Sequence, residues 1–177
     1  MRCVCVSFLC ILLLGGPVTV GPAVAGPDVA GQPGPPHRPQ TTPVFDRMAV
    51  ITVRLMDDEG GVTAVEVKVA VKADEQQAGF QFISGEVIER SLILFVFSQT
   101  LLTRFHMRNV EAPLDIAFIG SDGAILDIQE MQPDLGNSGP GLRTYGPSQP
   151  FRYALEAHAG FFRDHHISAG KGWLLLR

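Results

Sequence analysis

The stretch that most constrains this chain is Arg104 to Ile128, RFHMRNVEAPLDIAFIGSDGAILDI. It reads as three short strands: Phe105–Asn109, Leu114–Ile119 and Ala124–Ile128. The break at Val110–Pro113 and the Gly120-Ser121-Asp122-Gly123 turn separate them. Asp-Gly between two apolar runs is the strongest short hairpin signal, because both residues tolerate the positive φ of tight turns. In the middle strand Leu114, Ile116 and Phe118 fall on one face, and Asp115, Ala117 and Ile119 on the other.

Around this stretch the chain keeps the same character. Met48–Met56 and Val62–Ala73 form a strand pair across an Asp57–Gly61 turn, with Val65, Val67, Val69 and Val71 alternating against mostly polar neighbours. The acidic tip of that turn lacks the ligand spacing of a calcium loop and reads as a solvated hairpin end. Asp74–Phe80 predicts one or two helical turns with Asp74 as N-cap and Gly79 as the exit. Ser91–Phe97, SLILFVF, reads as a central strand buried on both faces. Gln129–Pro150 carries four glycines and four prolines. It reads as a long loop, either functional or an Ω-like cover over a sheet edge. Phe151–Ala157 returns as a strand, His158–His165 as a short helix, and Trp173–Leu176 as a closing strand. The expectation is a mainly β fold, a single β-sandwich or barrel-like domain with one or two short helices.

The N-terminus is of a different kind. Cys3–Leu14 is an apolar run of twelve residues broken only by Ser7, and Ala23-Val24-Ala25 suits signal peptidase. Twelve residues fall short of the roughly 18–20 that span a bilayer. Residues 1–25 therefore read as a signal peptide and 26–43, dense in Gly and Pro, as a disordered tether. The domain itself is expected over 44–177. The expected location is periplasmic or extracellular, with no stable membrane insertion once the signal is cleaved. All three cysteines lie inside the leader, so a processed chain has no disulfide or thiol chemistry. The net charge of −4 and the lack of a basic run argue against nucleic-acid binding.

Several of these segments resemble the domain of unknown function 192 family, small prokaryotic proteins often carrying secretion signals. Gly79-Phe80 and Leu94-Phe95-Val96-Phe97 stand for the family's first elements. Phe105–Val110 corresponds to its F-W-M-K-N-T signature, and Pro113–Ile119 to I-P-L-D-I-I-F-I. Arg152-Tyr153-Ala154-Leu155-Glu156, Ala159-Gly160, Ile167 and Gly170 correspond to the closing block. The likeness spans about Ala49–Leu176. Departures are His106 for tryptophan, Val110 for threonine, His158 for asparagine, His166 for glycine and Lys171 for aspartate. Glycine at the last helix exit would take a left-handed conformation cheaply. The resemblance implies a compact mainly β fold and supplies no reaction.

Chemistry is sparse. Arg104, His106 and Arg108 alternate with Phe105, Met107 and Asn109, and Asp115 follows. Two readings stand. One is structural: an Arg108–Asp115 ion pair, or a carboxylate bonding loop N–H groups. The other is a polar patch for an anionic or hydroxylated ligand, formed by His106, Arg108, Asn109 and Asp115 with Arg143 and Tyr145 from the long loop. His158, His165 and His166 have poor spacing for a metal, and no metal or cofactor is expected. No nucleophile elbow, P-loop or dinucleotide motif is present. The function expected is an exported ligand-binding or accessory module of the cell envelope, with a small molecule or an envelope protein as partner. The alternatives are a hydrolase-like envelope enzyme and a protein-interaction module without a small-molecule site.

Overall fold

Strand pairing dominates the architecture. A computed structural model describes residues 40–134 and 141–175, all within one compact unit. The segments expected to be a signal peptide and most of the tether, residues 1–39, lie outside the described residues. Residues 40–43, assigned above to the tether, are structured: the Gln40 carbonyl accepts the Ser84 N–H at 2.9 Å. Thr42 then caps α1 (Pro43–Arg47), its hydroxyl accepting the Phe45 N–H, with Pro43 at the position where a missing N–H costs nothing.

Seven strands form one sheet in the order β6-β5-β8-β3-β2-β1-β9. They are β1 (Ala49–Met56), β2 (Val62–Ala70), β3 (Ile93–Leu101), β5 (Leu114–Ile119), β6 (Ile125–Met131), β8 (Phe151–His158) and β9 (Trp173–Leu175). Two-residue strands β4 (Phe105–His106) and β7 (Thr144–Tyr145) pair separately. The large sheet curls into a half-barrel. At one end its two edges meet, where the Leu174 N–H donates to the Gly123 carbonyl and the Ile125 N–H to the Gly172 carbonyl. The fold is mainly β, as the sequence predicts, with four short helices rather than one or two.

Alternation along the strands sets two cores, one on each face. Ile93, Phe95, Leu114, Ile116, Phe118 and Ala154 pack on one face with Phe45, Phe80, Ile83 and Ile88. Leu94, Ala117, Ile119, Leu155 and Ala157 pack on the other with Phe161, Phe162 and Ile167. The strand read as buried on both faces is β3, between β2 and β8.

Only β2 and β3 pair in parallel, so the chain must cross a face of the sheet between them. That crossover carries α2 (Ala73–Ala78) and α3 (Gly85–Ile88). Strand β2 stops at Ala70 rather than Ala73 because the buried Glu75 carboxylate takes the Val71 and Lys72 N–H groups at 3.1 and 3.0 Å. Those N–H bonds, that of Lys72 foremost, hold the Glu75 carboxyl below its usual pKa. Lys72, not Asp74, is therefore the N-cap residue, and Asp74 pairs with Arg47. The Gly120–Gly123 hairpin forms as read, with the Gly123 N–H donating to the Gly120 carbonyl and φ of 99° at Gly123.

The first strand of the opening stretch is shorter than Phe105–Asn109. The chain leaves extended geometry after His106: the Val110 N–H folds back to the Met107 carbonyl, and Asn109 adopts φ of 59°. The long loop is also shorter than read, since β6 runs on to Met131 and β7 lies within it. Residues 135–140 of that loop are outside the described set. No helix among the described residues is long and apolar enough to cross a membrane.

Candidate functional site

Strand β8 brings an acid into the core. Ala154 and Glu156 point to the first face, flanked by Ile93 on β3 and Ile116 on β5 in register. Glu156 is only 6% exposed. Burial alone drives its carboxyl from the ordinary 4.5 up to about 8, with no hydrogen bond or neighbouring charge to offset it. A buried acid in this state is held protonated near neutral pH.

Glu156 lines a cavity of about 110 Å³ between the crossover and the sheet. Phe80, Phe95 and Phe105 supply apolar walls, His106 enters from β4, and Gln77 and Gln81 stand on the crossover side. The Nδ1 atom of His106 is buried and has no hydrogen-bond partner. A buried carboxyl and a buried ring nitrogen of the half-buried His106 thus belong to residues lining one small space, neither with a hydrogen-bond partner, a costly arrangement in a folded core.

The backbone around this cavity is also unusual. Gly79 adopts φ of 48° with ψ of −133°, and Phe82 and Asn109 take left-handed φ of 62° and 59°. Non-glycine residues adopt such φ only against a steric penalty. Here the two are tied together, because the Phe82 N–H donates to the Asn109 carbonyl at 2.8 Å. The Asn109 amide donates to Gln81 Oε1, while Gln81 Nε2 donates to the Gln77 carbonyl, fixing the rim. A side chain at Gly79 would enter the cavity, its Cβ 3.5 Å from Phe95 Cζ and 3.7 Å from Glu156 Oε2. Strained residues held by such bonds gather at functional sites.

The patch expected from sequence is divided by the fold. His106 lines the cavity and Asn109 positions its rim. Arg108 is exposed and bridges in register to Asp134, whose carboxylate accepts the Arg143 N–H. Tyr145 stands opposite Phe105, and its hydroxyl accepts the Gln132 N–H. Asp115 lies on the other face of the sheet, so it shares no site with His106. No Arg108–Asp115 ion pair forms. Instead Asp115 Oδ2 accepts the Gly160 N–H at 2.9 Å, holding the entry to α4 (Phe161–Asp164). Burial is the main cause raising the Asp115 pKa, with that N–H bond opposing it.

The histidines read for metal spacing are occupied locally. His158 and His165 place Nδ1 against the carbonyls of Ala159 and Phe161, and His165 stacks on Phe161 at 4.2 Å. Among the described residues no group of three or more His, Cys, Asp or Glu side chains is placed to hold a metal. A wider cleft of about 510 Å³ runs beside β3, but Arg152 is the only charged residue lining it. The acidic hairpin tip is not simply solvated: Asp58 accepts the Ser168 N–H and hydroxyl at 2.9 and 2.6 Å. Those bonds, the hydroxyl's first, lower its pKa.

Glu156 is the residue that sequence reading passed over as chemistry. Its signal was present: in Tyr153-Ala154-Leu155-Glu156-Ala157 both faces are apolar except for one acid in mid-strand. An acid there is either paired or kept for use.

Curled sheet, crossover roof and buried acid together define a small β domain with a cavity between roof and sheet. The chain belongs to the domain of unknown function 192 family, described as "Uncharacterized ACR", whose model matches residues 54–173. Among solved structures, it is similar to a protein from Sinorhizobium meliloti described as a "putative transcription regulator". That match has 26% identity and a TM-score of 0.64, covering 72% of this chain and 94% of the other. It is also similar to a protein of unknown function from Novosphingobium aromaticivorans, with 22% identity and a TM-score of 0.58, covering 71% and 84%. No curated protein gives a significant match.

Proposed function

We propose that this domain is an exported ligand-binding module of the cell envelope and that the cavity at Glu156 and His106 is its site. The observation that carries this reading is the buried Glu156 carboxyl, with nothing to offset its burial, on the same small cavity as half-buried His106, whose buried Nδ1 has no partner. Export rests on the apolar leader and its Ala23-Val24-Ala25 sequence. A hydrolase would need a nucleophile beside His106, and no serine, threonine, cysteine or lysine is among the residues lining the cavity. The description of the Sinorhizobium protein is not carried over, since a net charge of −4 provides no electrostatic footprint for nucleic acid.

Thermal unfolding of the protein against small amines, alcohols, carboxylates and sugars tests the reading, with Glu156→Gln and Arg108→Ala alongside. A ligand at a hundredfold excess over its Kd stabilises the native state by about 2.7 kcal/mol, a shift of several degrees. The expected result is a shift lost in Glu156→Gln and kept in Arg108→Ala. A shift lost only in Arg108→Ala would move the site to the surface around the Arg108–Asp134 bridge. No shift from any compound would leave the cavity a packing defect and favour a protein partner.

A further inference from the structure

We propose that the cavity receives the ammonium group of a small primary amine, with Glu156 as its counter-charge and His106 Nδ1 as a second acceptor. The inference rests on the ligand-binding reading above and specifies its chemistry. Three features of the lining select a cation. Glu156 is the only acidic side chain there, and no lysine or arginine lines the cavity to neutralise it. Phe80, Phe95 and Phe105 line the same cavity, and an aromatic face turned towards an ammonium attracts it. With its proton on Nε2, His106 offers Nδ1 as an acceptor, and that atom has no donor of its own. An alkylammonium brings three N–H donors and one positive charge. A carboxylate or an alcohol could accept the Glu156 O–H, but neither brings a positive charge to the aromatic rings, and a carboxylate has no donor for His106 Nδ1.

Size narrows the class further. About 110 Å³ is well below the roughly 300–1,000 Å³ of drug-sized pockets, so it admits a headgroup and not a sugar ring or nucleotide. The same core already holds one comparable contact: Lys68 Nζ lies 4.6 Å from the Phe45 ring centroid. The amine can be a free small molecule or the tip of a lysine side chain, and the chemistry of recognition is common to both.

The step is a proton exchange. A protonated Glu156 carboxyl binding an alkylammonium becomes a carboxylate paired with it, and its proton leaves to solvent. Besides Glu156, His106 is the only titratable group lining the cavity. Because the Glu156 pKa stands at about 8, binding at pH 7 releases close to one proton per site. The release falls towards zero as the pH rises past 9.

Calorimetric titration with methylammonium chloride and with a capped lysine amide, in buffers of different ionisation heat, reads affinity and proton release together. Ethylene glycol, sodium acetate and sodium chloride serve as comparisons. Saturable binding of at least one amine is expected, with proton release at pH 7 and a loss of roughly thirtyfold or more in affinity for Glu156→Gln. Preference for the capped lysine over methylammonium identifies a protein side chain as the source, and the reverse a free amine. If ethylene glycol or acetate binds in the cavity instead, the cation inference is overturned while the ligand-binding reading stands. If none of the probes binds while the Glu156 carboxyl carbon still titrates by NMR as a buried acid, both are overturned.

Discussion

At the scale of single residues, Glu156 governs how the protein responds to pH. Its folded pKa of about 8 lies above the ordinary 4.5, so the native state keeps a proton that the unfolded chain has lost. The contribution is fully present below about pH 4.5 and is lost progressively as pH rises towards 8. Integrated over that window the change is on the order of 5 kcal/mol. Denaturant unfolding between pH 5 and 8 should therefore show a decline in stability that Glu156→Gln flattens. An unchanged slope in that variant would mean the acid is not buried as described. His166 shows a different residue-level effect. It follows α4 and takes φ of 55° there, a left-handed conformation that glycine would adopt at less cost.

At the scale of elements, the sheet and the first helix of the crossover were largely legible, and α3 was not. Leu114–Ile119, with its clean alternation and its Asp-Gly turn, is strand β5 to the residue. The ends that moved did so because a side chain intervened. Glu75 captured two N–H groups and stopped β2, and Asn109 turned the chain after β4. Alternation along a sequence cannot reveal such bonds. The candidate site was half legible: His106 and Asn109 were named, but the period-two pattern grouped His106 with Arg108 and Asp115, which the fold sends elsewhere. Asp115 is better understood as the fastening of α4 to β5. Replacing it with alanine leaves a buried Gly160 N–H unpaired, a cost of about 1–3 kcal/mol. Because it lies on the face away from the cavity, Asp115→Ala should lower the thermal midpoint and leave amine affinity unchanged. A parallel loss of affinity would show that the two faces are coupled.

At the scale of the whole molecule, two cores share one sheet, and neither face can lose its cover without exposing the same strands. Ile88→Val on one face and Ile167→Val on the other should each cost roughly 0.5–1.5 kcal/mol. Far enough apart to share no partner, they should add to within about 0.5 kcal/mol. Trp173 is the only tryptophan and stands in β9, so its fluorescence reports the closing edge. Its unfolding curve should coincide with the far-ultraviolet transition if the sheet melts as one unit. Separate curves would divide the edge from the centre. The parallel β2–β3 pair has a further consequence. Topology obliges the chain to pass over the sheet there, and the passing segment roofs the cavity, while the acid beneath it belongs to the sheet. Acid and roof are thus encoded in separate parts of the chain, so substitutions in the bridge can reshape the cavity while the sheet beneath it stays unaltered.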